Sequence, residues 1–225
     1  MDVDTLYSRQ HLLIADRLRS ADVLIYGAGM LGSWTAHALA RVANSVTIYD
    51  GADTVEDVNL GTQAYNPLDV GVLKGSALEL NIGFGIASIP ARFPEGETSN
   101  LVPNILVSCA DSMDARARGS EWCFRKQVSL FIDTRARGLE ATIITVSGDH
   151  EYRRYASNLP SDDQIEDVPC GQNGTAFVGM FVASRVASIC NIFCREGVKY
   201  LPSRETWNVE RGLIIERVER EEGSS

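Results

Sequence analysis

Three glycines and two aspartates are the residues whose types and spacing suggest chemistry. Gly27, Gly29 and Gly32 stand as G-x-G-x-x-G within Gly27-Ala28-Gly29-Met30-Leu31-Gly32, and Asp50 closes the apolar run that follows. Gly27 permits a tight turn, Gly29 lets backbone approach a phosphate without a Cβ in the way, and Gly32 lets a helix pack closely on a strand. The free N–H groups and positive dipole end of that helix attract an anion. Asp50 is placed to accept hydrogen bonds from ribose hydroxyls. Together these residues describe a nucleotide site. Asp111 follows another apolar run, where ligands sit beyond the carboxyl ends of strands in an open parallel sheet. It also reads as a plain helix N-cap.

These residues need a βαβ frame, and the sequence supplies one. Residues 23–26 form a short β-branched run suited to a buried strand, residues 33–42 read as a helix, and residues 46–49 form a second strand ending in Asp50. Further strands are predicted within 82–94 and over 105–109, 128–133 and 138–147. An apolar helix is expected over 176–193, and a closing hairpin over 206–218 with Gly212 near its turn. Apolar residues at helical spacing predict an N-terminal helix over 6–19 packing on the domain. Residues 51–73 read as an irregular polar segment before a helix that starts at Lys74. Residues 150–170 read as a surface crossover loop, and 219–225 as a charged, disordered tail. With no internal repeat or linker, residues 1–225 are expected to form one domain. Its fold class is α/β and Rossmann-like, with a mainly parallel sheet and helices on both faces.

Composition narrows the function classes. The net charge of −9 over 225 residues disfavours a general nucleic-acid surface. No run of 18 apolar residues occurs, and the N-terminus is polar and acidic, so the expected setting is cytoplasmic, without membrane attachment. Five cysteines make an odd set with no C-x-x-C, so reduced thiols are the default. Cys190 and Cys194 share a helix face and read as a buried pair; no structural zinc is expected.

The order of the pieces resembles the ThiF, MoeB and HesA family, the ubiquitin-activating-enzyme-like adenylation domains. The pieces are Tyr7-Ser8-Arg9-Gln10, Gly27 to Gly32, Asp50, the segment Val-Glu-Asp-Val-Asn-Leu-Gly-Thr-Gln ending at Gln63, Gly71-Val72-Leu73-Lys74, and Cys109-x-Asp111 with Arg116. The resemblance implies ATP-dependent adenylation of the C-terminal carboxylate on a small ubiquitin-like protein or peptide, giving an acyl-adenylate and pyrophosphate. It implies that Asp111 binds magnesium, Lys74 supplies a point charge to the phosphates, and Asn59 and Gln63 are polar anchors around the triphosphate. It also implies that Arg9 reaches the ATP of the partner subunit across a homodimer or heterodimer. In some relatives a cysteine matching Cys170 acts as a nucleophile; a nearby helix N-terminus would raise its thiolate fraction. Taken alone, Lys74 reads as a solvated lysine at a helix start, and Cys170 as a loop thiol.

One departure stands out. Active members usually read Asn-Leu-x-Arg-Gln, whereas Thr62 stands here in the arginine's place, and a hydroxyl cannot replace a charged bidentate donor. Arg116 and Arg118 are possible substitutes. A second reading is therefore a catalytically weak or inactive partner subunit that supplies Arg9 to another chain's site. A third, an NAD(P)-dependent oxidoreductase, lacks a separate substrate domain.

Overall fold

The computed structural model describes residues 9–10, 12–93, 102–162 and 174–220. The first βαβ unit forms as its local pattern directs. Strand β1 (Asp22–Tyr26) turns through the glycines into helix α1 (Met30–Leu39), and β2 (Ser45–Tyr49) pairs in parallel with β1. Helix α1 begins three residues before the predicted start, because Gly29 itself is the N-cap and Met30 to Gly32 form the first turn. The irregular segment then leads into α2 (Lys74–Ile82) and β3 (Ile86–Ile89). Next come β4 (Ile105–Ser108), α3 (Met113–Lys126), β5 (Leu130–Arg137), β6 (Glu140–Val146), α4 (Asp149–Ser157) and α5 (Ala176–Glu196). The hairpin β7 (Arg204–Asn208) and β8 (Leu213–Val218) closes the described chain.

One sheet runs in the order β3-β2-β1-β4-β5-β6-β7-β8. The five strands from β3 to β5 are parallel, and β6 to β8 extend them antiparallel. Strand order reverses between β1 and β4. That is the switch point where open α/β sheets leave a crevice.

Alternation along the central strands separates two apolar layers. Val23, Ile25, Ile105, Val107 and Ile132 face α1, α2 and α5, whereas Leu24, Leu106 and Phe131 face α3 and α4. All four residues of β4 are buried, as a strand covered on both faces requires. By length and composition α5 could cross a membrane. Here Val178, Val182, Val186 and Ile189 are fully buried and belong to the core layer that α1 helps to form. Gly179 makes the approach possible, since a Cβ there would come within 3.3 Å of Met30 and closer still to the Trp34 ring.

Three expectations are corrected. Among the described residues of the expected N-terminal helix, only the one turn Asp16–Arg19 is helical, and Leu12 and Leu13 are exposed. Its expected middle is captured by α5: Asn191 accepts from the Ala15 N–H at 2.8 Å and donates to the Leu13 carbonyl at 3.1 Å. Ala15 is consequently extended, and the helical turn begins only from its carbonyl, which accepts from the Leu18 N–H at 2.9 Å. The predicted surface loop is in part a helix, α4, because Tyr152 and Tyr155 lie three apart and are both buried among Phe131 and Leu106. Arg220, at the start of the expected tail, is held: its guanidinium binds the Glu151 carboxylate and the Thr145 carbonyl, the latter at 2.9 Å. Residues 1–8, 163–173 and 221–225, and with them Cys170, lie outside the described residues. Cys190 is fully buried and Cys194 half-buried on α5, both packed in the layer around α1.

Candidate functional site

The crevice at the β1/β4 switch point is a cleft of about 330 Å³ lined by Gly27, Gly29, Asp50, Lys74 and Asp111, together with Tyr26, Asp53, Arg92, Ser112 and Arg118. Five residues singled out from the sequence therefore meet in one place, although they come from four separate segments.

The glycine turn has the geometry that its spacing demands. Gly27 has φ of 94°, and a Cβ there would lie 2.8 Å from the Cys109 carbonyl oxygen on the neighbouring β4 segment. A Cβ on Gly32 would run into the Gly27 carbonyl itself, so Gly32 is the residue that seats α1 on the turn. Around Gly29 nothing lies within 4 Å of the Cβ position, which leaves open space directly before the first free N–H groups of α1. Gly32→Ala is expected to displace this turn and destabilise the fold by roughly 1–3 kcal/mol. A thermal melt would show it, and an unchanged Tm would count against the packing role.

Asp50 ends β2 and reaches back to the turn: its Oδ1 accepts from the Ala28 N–H at 2.8 Å. Its other oxygen, Oδ2, is buried without a hydrogen-bond partner among the described residues. Burial pushes the carboxyl up, while the Ala28 N–H and the Lys74 charge pull it back down. An orphaned buried acceptor costs about 1–3 kcal/mol, a cost that a bound hydroxyl would remove.

Lys74 is the first residue of α2, where a positive charge opposes the helix dipole. It sits 3.6 Å from Asp53, and its side chain is largely buried in the cleft wall. Asp111 follows β4, and its carboxylate has no hydrogen-bond or ion-pair partner among the described residues. Ser112, not Asp111, caps α3, accepting from the Ala115 N–H at 3.2 Å. This corrects the N-cap reading and leaves the Asp111 carboxylate facing the cleft.

Other predicted residues lie elsewhere. Asn59 accepts from the Glu56 N–H at 3.0 Å, so it caps a short 3-10 turn. Gln63 has a buried, unpartnered Oε1 outside the cleft. Thr62 does not line the cleft either, and the Trp34 indole N–H holds its carbonyl at 2.9 Å. Arg9 is exposed in a turn, away from this cleft. Cys109 lies on the cleft floor, and burial pushes its thiol up to about 11, against the hydrogen bond from Thr134. It is therefore neutral near pH 7.

The two arginines suggested as substitutes have different fates. Arg116 is buried: it binds Asp133, the Ala110 carbonyl and, at 2.8 Å, the Thr134 carbonyl. Arg118 lines the cleft beside Tyr26. Residues two apart on a helix point about 200° from each other, so one faces the core and the other the ligand side. Sequence reading missed Arg92 and Tyr26. Neither belongs to a spaced pattern, and only the folded chain brings them to the crevice.

The sequence pattern of the ThiF family matches residues 7–214. No curated protein sequence matches the chain. Among solved structures, E. coli MccB in complex with ATP superposes with a TM-score of 0.71 at 17% identity, over 98% of this chain and 73% of that one. MccB with AMPCPP and selenomethionine-labelled MccA gives 0.71 at 18% identity, over 99% and 74%. PaaA gives 0.72 at 17%, over 97% and 74%. At these identities the superpositions establish the shared fold, and the family match covers nearly the whole chain. The switch-point cleft, the glycine turn and the Asp50 pairing are thus features of a protein that belongs to the ThiF family.

Proposed function

We propose that this chain adenylates a C-terminal carboxylate on a peptide or small ubiquitin-like protein, using ATP and magnesium. The observation that carries the reading is Asp50, with one oxygen fixing the glycine turn and the other buried and unpartnered at the cleft wall. That arrangement suits a ribose hydroxyl, while the open space at Gly29 beside the N-terminus of α1 suits phosphate. The fold's likeness to MccB, solved with ATP and in complex with N-formylated MccA, supports the nucleotide and a second substrate beside it.

In the proposed reaction a carboxylate oxygen attacks the α-phosphorus of ATP. A carboxyl–phosphate bond forms, the bond from that phosphorus to the bridging oxygen breaks, and pyrophosphate leaves with the electron pair. The chain's task is positioning and charge neutralisation. Lys74 offers a point charge, Asp50 holds the ribose, and the carboxylate of Asp111 would hold magnesium. A lone carboxylate fits that ion, which commonly takes one or two carboxylates and completes its shell with phosphate and water. When bound, the ion neutralises phosphate charge.

A second reading, a partner subunit that completes another chain's site, draws on Thr62 and on Arg9 lying exposed outside its own cleft. In either reading the working unit is a dimer in which Arg9 serves the partner's nucleotide. ATP–pyrophosphate exchange by the purified protein, with magnesium and candidate acceptors ending in Gly-Gly or short peptides, separates the two. Exchange by this chain alone supports adenylation. ATP binding with exchange that requires an added related chain supports the partner subunit. No ATP binding overturns the nucleotide reading.

A further inference from the structure

The polyphosphate of a nucleotide brings several negative charges into a cleft that already holds Asp50, Asp53 and Asp111. The cations facing them are Lys74, Arg92 and Arg118. Lys74 is shared with Asp53, and the loop at Thr62 contributes no charge. Beside Lys74 and the magnesium ion of the proposed reaction, the two guanidinium groups are the further cations that this chain brings to the cleft.

Arg92 is positioned by its neighbour. Phe93 is fully buried, with its ring wedged 5.3 Å from Tyr26, 5.2 Å from Tyr49 and 5.0 Å from Trp122, centroid to centroid. This aromatic cluster fixes the main chain beyond β3 and leaves the Arg92 side chain at the cleft. Gly51, directly after Asp50, makes the room: a Cβ there would come within 3.2 Å of Arg92 Cγ. Among the described residues, the Arg92 guanidinium has no ion-pair partner. Arg118 projects from α3 across the cleft and pairs with Asp114 one turn earlier. Both members of that pair are substantially exposed, so their pairing is weak and yields readily to a stronger anion. Guanidinium is also the side-chain cation best matched to phosphate oxygens.

We propose that Arg92 and Arg118 bind the β- and γ-phosphates of the nucleotide, taking the role that an arginine in the Thr62 loop would otherwise have. This rests on the nucleotide reading of the cleft. The two residues come from separate elements, one beyond β3 and one on α3, and both lie near Tyr26 in the cleft. They form a clamp that grips the β- and γ-phosphates and leaves the α-phosphate to the glycine turn and the ribose to Asp50.

Calorimetric titration of ATP, ADP and AMP with magnesium tests the assignment on wild type, Arg92→Ala, Arg118→Ala and the double variant. Each single change is expected to weaken ATP roughly 10- to 100-fold, the loss of one charge-assisted contact, with AMP changed by less than about threefold. Arg92→Lys should recover part of the loss. Equal weakening of all three nucleotides would assign the arginines a structural role and overturn the proposal, as would unchanged ATP affinity. A wild type that binds AMP and ATP alike would also overturn it while leaving the cleft a nucleoside site. A wild type that binds none of them overturns the nucleotide reading itself.

Discussion

Asp133→Ala is expected to cost about 3–5 kcal/mol of stability, a fall of roughly 10 °C or more in Tm, although the residue lies outside the cleft. Asp133 is completely buried. It takes Arg116 on one oxygen, and Arg135 at 2.7 Å with the Tyr155 hydroxyl at 2.8 Å on the other. Removing the carboxylate strands the buried Arg116 charge, and breaking such a pair costs far more than the pair itself contributes. The double variant Asp133→Leu with Arg116→Met should therefore recover much of the loss, which chemical denaturation would show. If the single and double variants were equally unstable, packing and not charge would explain the result. Arg116 also holds the carbonyl of Ala110, the residue before Asp111, so the single change should loosen the cleft before the whole fold melts. Faster amide exchange around residues 109–112 than in β1 would report it.

Asp111→Ala is expected to lower ATP–pyrophosphate exchange roughly 100- to 1,000-fold while leaving the Tm within about 1 °C. The carboxylate caps no helix and makes no ion pair among the described residues, so its removal leaves nothing buried and unpaired. Its proposed role is to hold magnesium. The clearest sign is then a loss of the ion's effect on ATP binding: wild type should bind more tightly as magnesium is added, and the variant should not. Exchange that survives the substitution would remove Asp111 from the proposed mechanism.

The parts legible in the sequence are those in which neighbouring residues determine one another. The run into Gly27, the turn and Asp50 form one local unit, and the structure builds it with Ala28 and Asp50 joined across it. The place of Asp111, just beyond a buried strand, was legible, whereas its freedom from capping the next helix was not, since Ser112 beside it competes for that role. What escaped depends on distant partners. Leu12 and Leu13 keep helical spacing, yet Asn191 on α5 takes the backbone that the helix needed. Tyr152 and Tyr155 were hidden in a charged segment, and their burial is decided by Phe131 and Leu106 on the sheet. Arg92 carries no signal at all until Phe93 is seen locked among three aromatic rings. Arg116 and Arg118, two residues apart, could be separated only once the rotation of α3 on the sheet was known.

The hydrogen bond from Trp34 to the Thr62 carbonyl gives this protein an optical gauge. Its indole packs against Gly179 on α5 and holds the polar segment after β2, whereas Trp122 sits among Phe93 and its neighbours on the other face. Indole emission shifts with the polarity and hydrogen bonding around the ring. With Trp122 and Trp207 replaced by phenylalanine, the remaining fluorescence would follow the segment that carries Asn59, Thr62 and Gln63. Any movement of that segment as the cleft fills could then be timed in solution without attaching a dye.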